Sequence, residues 1–257
     1  YSGHGAESLP AEVLARFAPK PVPDGLARTI SAMLDVRAPG MGQPSPDGKR
    51  LFFTWRVTGV GQVWRLDGPM RFPVQMTGGQ DPTSIADVTP DGKTLVLQRD
   101  RKGEENPGLY LQDAEGGALR LVQHKKGVQT AASFVSRDGR WLYYRSNDKK
   151  PDSYAHYRYD LKSGAVEEVF TKDGLWFVAD HRPGKLLMAK AVGSNMTEYY
   201  EYDEAAKDLK PLFGQGERED YRAAYGPGDG EVLVQTPRFG EFRRLYSGHA
   251  DGPSVAY

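Results

Sequence analysis

The sequence predicts an all-β fold built from repeated four-stranded units, and three observations carry that prediction. A turn signature recurs five times: Ser45-Pro46-Asp47-Gly48-Lys49, Thr89-Pro90-Asp91-Gly92-Lys93, Ser136-Arg137-Asp138-Gly139-Arg140, then the weaker Arg182-Pro183-Gly184-Lys185 and Gly228-Asp229-Gly230-Glu231. Its glycines, Gly48, Gly92, Gly139, Gly184 and Gly230, are spaced by 44, 47, 45 and 46 residues, and a leucine follows each by three places, at Leu51, Leu95, Leu142, Leu187 and Leu233. The composition agrees: 30 glycines, 18 prolines and 11% aromatic residues favour many short strands joined by turns over long helices.

Residues 1–35 stand apart from the repeat. Ser8-Leu9-Pro10 reads as the start of a helix over 11–17, with proline in the first turn, where its missing N–H costs nothing. Leu9, Val13, Leu14 and Phe17 share one face of it. A second helix over 24–36 places Leu26, Ile30, Met33 and Leu34 at helical spacing, and Pro19, Pro21 and Pro23 separate the two. Such apolar faces call for a surface to pack on, either the repeat or a partner domain.

Each repeat then reads as four strands. One precedes the turn, and Asp-Gly supplies the tight bend because glycine accepts positive φ. The run after it (Leu51-Phe52-Phe53, Leu95-Val96-Leu97, Leu142-Tyr143-Tyr144) is apolar enough for a strand covered on both faces. A third strand closes on an acid preceded at three places by an aromatic: Trp64-Arg65-Leu66-Asp67, Tyr110-Leu111-Gln112-Asp113, Tyr157-Arg158-Tyr159-Asp160 and Tyr200-Glu201-Tyr202-Asp203. In the fifth copy, Arg244-Leu245-Tyr246-Ser247, the aromatic and the acid both read as lost. A short fourth strand follows, as at Phe72-Pro73-Val74-Gln75-Met76. Four strands in about 45 residues is the size of a propeller blade. The expected fold is therefore a β-propeller of about five blades over 36–257, divided approximately as 36–79, 80–126, 127–171, 172–216 and 217–257, after a helical segment over 1–35. The five leucines are expected at equivalent buried positions.

Several function classes are excluded by content. Lys+Arg and Asp+Glu are both 34, with no basic stripe, so no nucleic-acid partner is expected. No apolar run approaches the ~18 residues of a membrane span, and none is expected. With no cysteine there can be no disulfide, thiolate metal site or cysteine nucleophile. A serine hydrolase needs its nucleophile on a G-x-S-x-G elbow, which is absent. His4, His124, His156, His181 and His249 are scattered without metal-ligand spacing. No catalytic residue, metal or cofactor is expected in these residues.

One loop stands out, Asp100-Arg101-Lys102-Gly103-Glu104-Glu105-Asn106, between two strands of the second blade. Arg101, Glu104 and Glu105 are the candidates for substrate contact, since paired carboxylates attract the ammonium group of a peptide. The plain alternative is a solvated hairpin tip. The tyrosines at 154, 157, 159, 199, 200 and 202 admit a stacking wall for a ligand or, more simply, filling between blades.

With the turn repeat and the aromatic-x-x-Asp strand in place, the chain resembles the N-terminal β-propeller of bacterial prolyl oligopeptidase-family serine peptidases. Arg99-Asp100 leading into Gly103-Glu104-Glu105-Asn106 before Leu109-Tyr110 is similar to the arginine/aspartate and G-(D/E)-E-N hairpin of bacterial members, and the lead-in Leu34-Asp35-Val36-Arg37 is similar too. The resemblance implies a substrate-gating propeller that limits which peptides reach an α/β-hydrolase domain of the same parent protein. Family propellers have seven or eight blades, so five imply a fragment of a larger one. The family's catalytic Ser, Asp and His belong to the hydrolase domain, and none carries over to a position here. The turn repeat also marks Tol-system propellers. The alternative reading is therefore a self-standing propeller that binds a protein or small ligand.

Overall fold

The computed structural model describes residues 9–249 and 252–256. The chain divides into two compact units at residues 38 and 39. The first holds helices α1 (Ala11–Phe17) and α2 (Asp24–Leu34). Pro10 and Pro23 stand immediately before them, with φ −59° and −51°, so proline's fixed backbone angle sets each entry and no side-chain cap is used. Ser8 lies outside the described residues.

The second unit is a run of five four-stranded antiparallel sheets, each a consecutive up-and-down meander. Blade one comprises β1 (Gly40–Pro44), β2 (Leu51–Trp55), β3 (Gln62–Leu66) and β4 (Val74–Gln75). Blade two comprises β5 (Thr83–Val88), β6 (Thr94–Arg99), β7 (Gly108–Asp113) and β8 (Gly116–Gln123). Blade three comprises β9 (Thr130–Val135), β10 (Trp141–Lys150), β11 (Ser153–Asp160) and β12 (Val166–Thr171). Blade four comprises β13 (Leu175–Arg182), β14 (Lys185–Gly193), β15 (Met196–Asp203) and β16 (Asp208–Phe213). Blade five comprises β17 (Arg222–Tyr225), β18 (Glu231–Thr236), β19 (Arg244–His249) and β20 (Gly252–Ala256). First strands of neighbouring blades touch, as β1 with β5, β5 with β9 and β13 with β17, which places them on the inner rim of a β-propeller.

The recurrent turn has a side-chain cause. Ser45 Oγ donates to Asp47 Oδ1 at 2.6 Å and accepts from the Arg50 N–H at 3.0 Å, while Asp47 Oδ1 also accepts from the Lys49 N–H at 3.1 Å. Thr89 with Asp91 and Ser136 with Asp138 repeat the arrangement. These hydroxyl and amide donors hold all three carboxylates below their ordinary range. The glycine that follows sits at φ 69°, 71° and 70° in the three turns, a region a side chain resists.

Packing runs between consecutive blades, in four clusters. Phe52 and Val63 meet Leu95 and Leu97 between blades one and two, and Val96 and Leu111 meet Leu142 and Tyr144 between two and three. Tyr143 and Phe170 meet Leu186 and Met188 between three and four, and Leu187 and Tyr199 meet Val232 and Val234 between four and five. Among the described residues no hydrophobic cluster joins blade five to blade one. Alternate residues of each second strand therefore face opposite neighbours, and the two outer faces of the series are left over.

Register corrects the expectation for the five leucines. Thr94, Trp141 and Lys185 pair with Asp113, Asp160 and Asp203 respectively, which fixes Leu95, Leu142 and Leu186 as equivalents, all essentially inaccessible to solvent. The fourth turn is shorter, with Arg182 paired directly to Lys185, and in the fifth the glycine sits one place later. Leu187 and Leu233 thus occupy the next position, on the opposite face of the strand, where Leu187 meets blade five, and the true equivalents are Leu186 and Val232. Leu51 is in the expected register yet 37% exposed, because it faces away from blade two and no earlier blade covers it. Leu233 is only half-buried for the mirror-image reason. The fifth repeat has also not lost its aromatic: Glu231 pairs with His249, so Tyr246 holds the aromatic position and His249 replaces the acid.

Candidate functional site

The loop that the sequence singles out joins β6 to β7, and the residues around it hold it firmly. Arg99, at the end of β6, donates to Thr83 Oγ1 at 2.7 Å and to the Gly78 carbonyl at 3.0 Å, and lies 4.0 Å from Asp81. Asp81 in turn accepts from the Lys102 N–H at 2.7 Å. The loop then passes through three left-handed residues, Lys102, Gly103 and Glu105, at φ 54°, 70° and 56°. A backbone bond from Glu104 N–H to the Arg101 carbonyl closes the turn at 3.1 Å, and Asn106 Nδ2 ties down the Glu104 carbonyl at 2.8 Å. Two non-glycine residues held in this region mark a backbone fixed by its surroundings.

The three candidates separate in this geometry. Arg101 and Glu104 are brought together as an ion pair at 3.2 Å, both partly buried. Glu105 is exposed and makes no ion pair among the described residues. Its carboxylate is the exposed one of the loop's two glutamates.

Sequence reasoning missed the base of the loop, which is His124 at the start of the connection from blade two to blade three. Its Nδ1 lies 2.6 Å from the Tyr110 hydroxyl, the two rings meeting edge to face with centroids 5.7 Å apart. The imidazole lies over Gly108, where a Cβ would fall 2.2 Å from the ring. Burial, and then the nearby Arg101 charge, push the His124 pKa down, so the ring is neutral at pH 7. Two buried atoms here have no partner among the described residues, His124 Nε2 and Asp100 Oδ1. The signal available in the sequence was the position of His124 one strand beyond the hairpin, paired through β8 to the strand that follows the loop. The site offers charged and polar binding groups, the Arg101–Glu104 pair, Glu105 and the Tyr110–His124 pair.

Elsewhere, the tyrosines take the filling role. Tyr157 and Tyr159 pack between blades two and three, Tyr200 and Tyr202 between three and four, and Tyr199 between four and five. Tyr154 instead donates to Gln129 at 2.7 Å, with Arg145 4.8 Å over its ring. Among the described residues no group of His, Cys, Asp and Glu is placed to hold a metal ion, and no helix is long and apolar enough to cross a membrane.

No family model matches the chain, and no curated protein matches it in sequence. Solved structures do match in fold. A prolyl endopeptidase structure covers 95% of this chain and is matched over 38% of its own, at 14% identity and a TM-score of 0.73. TolB from Acinetobacter baumannii covers 86% of this chain and is matched over 55% of its own, at 19% identity and a TM-score of 0.59. The β-propeller domain of the trilobed protease from Pyrococcus furiosus, described as having an open velcro topology, covers 82% of this chain and is matched over 68% of its own, at 15% identity and a TM-score of 0.55. The chain thus spans roughly half or less of the first two. The fold is a β-propeller, shared with peptidase propeller domains and with TolB alike.

Proposed function

We propose that this chain is the substrate-gating propeller of a serine peptidase of the prolyl oligopeptidase family, acting beside an α/β-hydrolase domain of the same parent protein. The observation that carries the reading is the β6–β7 hairpin. Its resemblance to the family's hairpin is matched by a backbone pinned through Arg99, Asp81 and Asn106, which presents Glu105 and the Arg101–Glu104 pair in a fixed geometry. A fixed carboxylate of this kind can hold a peptide ammonium, and the propeller body restricts passage by size. The absence of packing between blades five and one among the described residues supports a role within a larger assembly.

The test is the encoding locus together with an activity probe. A downstream segment of about 250 residues carrying G-x-S-x-G is expected. The parent should label stoichiometrically with a fluorophosphonate, while residues 1–257 alone should not. A reading frame without such a segment, or labelling of residues 1–257 themselves, overturns the proposal; the former outcome favours the self-standing binding propeller.

A further inference from the structure

We propose that the cleft between blades three and four, on the rim formed by their turn hairpins, binds a small planar aromatic anion. The cavity measures about 600 Å³, within the range of small-molecule sites. One wall is a stack of three rings: Phe134 lies between Tyr143, at 4.4 Å and 13°, and His181, at 3.7 Å and 8°. Trp141 completes it, flanked by the guanidinium groups of Arg140 at 4.6 Å and Arg158 at 4.4 Å. Phe134, Trp141, Tyr143 and His181 all line the cavity, an aromatic wall against which a flat ring can pack, edge to face included.

The charges in the floor are already matched. Glu204 accepts from the Tyr143 hydroxyl at 2.9 Å and lies 3.5 Å from Arg158, which also pairs with Glu167 at 2.6 Å. His181 adds no charge, because burial lowers its pKa and keeps it neutral at pH 7. The rim is different. Asp138 is occupied by Ser136 and the Arg140 N–H, whereas Arg137 is exposed and makes no ion pair among the described residues. Arg182 spends its hydrogen bonds on the carbonyls of Gly226 and Gly228, both at 2.6 Å, and its nearest carboxylate, Asp229, is 3.9 Å away and fully exposed. Arg182 is thus held by backbone carbonyls and by the Tyr225 ring, 4.5 Å below it, which leaves Arg137 as the cation at the mouth without an ion pair among the described residues.

The corresponding cleft between blades one and two makes the contrast. It is lined by the same turn hairpins, but Arg50 and Arg65 are both paired with Asp67 and Glu115, at 2.5–3.2 Å, and no aromatic ring lines it. The same turn hairpins line both clefts, and of these two the blade three–four cleft combines rings with an arginine that makes no ion pair among the described residues.

Titration calorimetry of the full chain with 2-naphthoate, against 2-naphthalenemethanol as the uncharged probe, tests the assignment. One saturable site for the acid is expected, about tenfold tighter than for the alcohol, the value of one charge-assisted hydrogen bond. Arg137→Ala, at an exposed position, should erase that tenfold difference without weakening the alcohol. Amide shifts on adding 2-naphthoate should centre on residues 134–141 and 181–184. Absence of saturable binding at millimolar 2-naphthoate overturns the proposal. So does equal affinity for acid and alcohol, an unchanged preference in Arg137→Ala, or shifts centred on the blade one–two cleft.

Discussion

The carboxylate of Asp87 accepts the backbone N–H of Val135 at 3.0 Å, so a side chain of blade two completes the main-chain hydrogen bonding of blade three. Its other oxygen takes the Val88 N–H at 2.8 Å and Gln43 of blade one at 3.2 Å, linking three blades through one residue. Asp180 repeats the device, accepting from the Tyr225 N–H of blade five at 2.8 Å. Both aspartates follow a one-residue irregularity in the first strand of their blade, which re-aims the side chain toward the next blade. Asp87→Ala should lower stability by about 2 kcal/mol, the value of hydrogen bonds to a charged group, read from the urea midpoint. Asp47→Ala, on an exposed turn, should shift it much less.

Equivalent leucines should differ sharply by position in the series. Leu186→Ala removes a fully buried side chain between blades three and four and should cost about 2–5 kcal/mol. Leu51→Ala, on the outward face of blade one, should cost well under 1 kcal/mol by chemical denaturation.

That contrast shows how far the sequence could be read. The Ser/Thr-x-Asp-Gly turn is legible because its hydrogen bonds are local, between residues two to five apart, so blade number and strand order followed from it. The offset from glycine to leucine was a weaker guide, since one residue more or less in a turn shifts a strand by one place and exchanges its faces. Only the pairing of Lys185 with Asp203 and Glu231 with His249 reveals that shift. At the hairpin, Arg101, Glu104 and Glu105 announced themselves by charge. His124 did not, because its part depends on β8 lying beside β7 and on the absence of a side chain at Gly108.

Acid should destabilise the fold through His156. The ring is buried, Nε2 donates to the Trp176 carbonyl at 3.2 Å, Nδ1 has no partner among the described residues, and burial lowers the pKa to about 4. A folded pKa below the unfolded value near 6.5 means the stabilisation is full above pH 6.5 and is lost as pH falls toward 4. The loss across that window is about 3 kcal/mol. In His156→Phe the corresponding part of the acid limb should flatten, as seen in urea midpoints measured from pH 7 to pH 4.

The base of the hairpin can be tested at Gly108. A Cβ there would collide with the His124 ring, so Gly108→Ala should cost about 1–3 kcal/mol by overpacking. It should also raise the His124 pKa toward its ordinary value as the ring is displaced toward water, which NMR titration would record. An unmoved His124 titration would contradict the packing described.

In the proposed parent peptidase, Glu105→Gln should raise KM for peptides with a free amino terminus while leaving N-acetylated peptides unaffected. The expected factor is about two- to fivefold, since exposed charge pairs contribute no more than about 1 kcal/mol. A uniform change across both substrate sets would argue against ammonium recognition by the hairpin.

Among the described residues the hydrophobic clusters join each blade to the next and none joins the last to the first, so the propeller unit is expected to behave energetically as a one-dimensional array. In such an array the terminal members have one stabilising interface and the central members two. Amide exchange should therefore be slowest in β10 and β14 and should quicken outward toward β2 and β18, a fraying gradient that a closed ring would abolish. Any partner that bridges the outward faces of Leu51 and Leu245 would convert sequential unravelling into a single cooperative transition, so its binding would register in the slope of the unfolding curve as well as its midpoint.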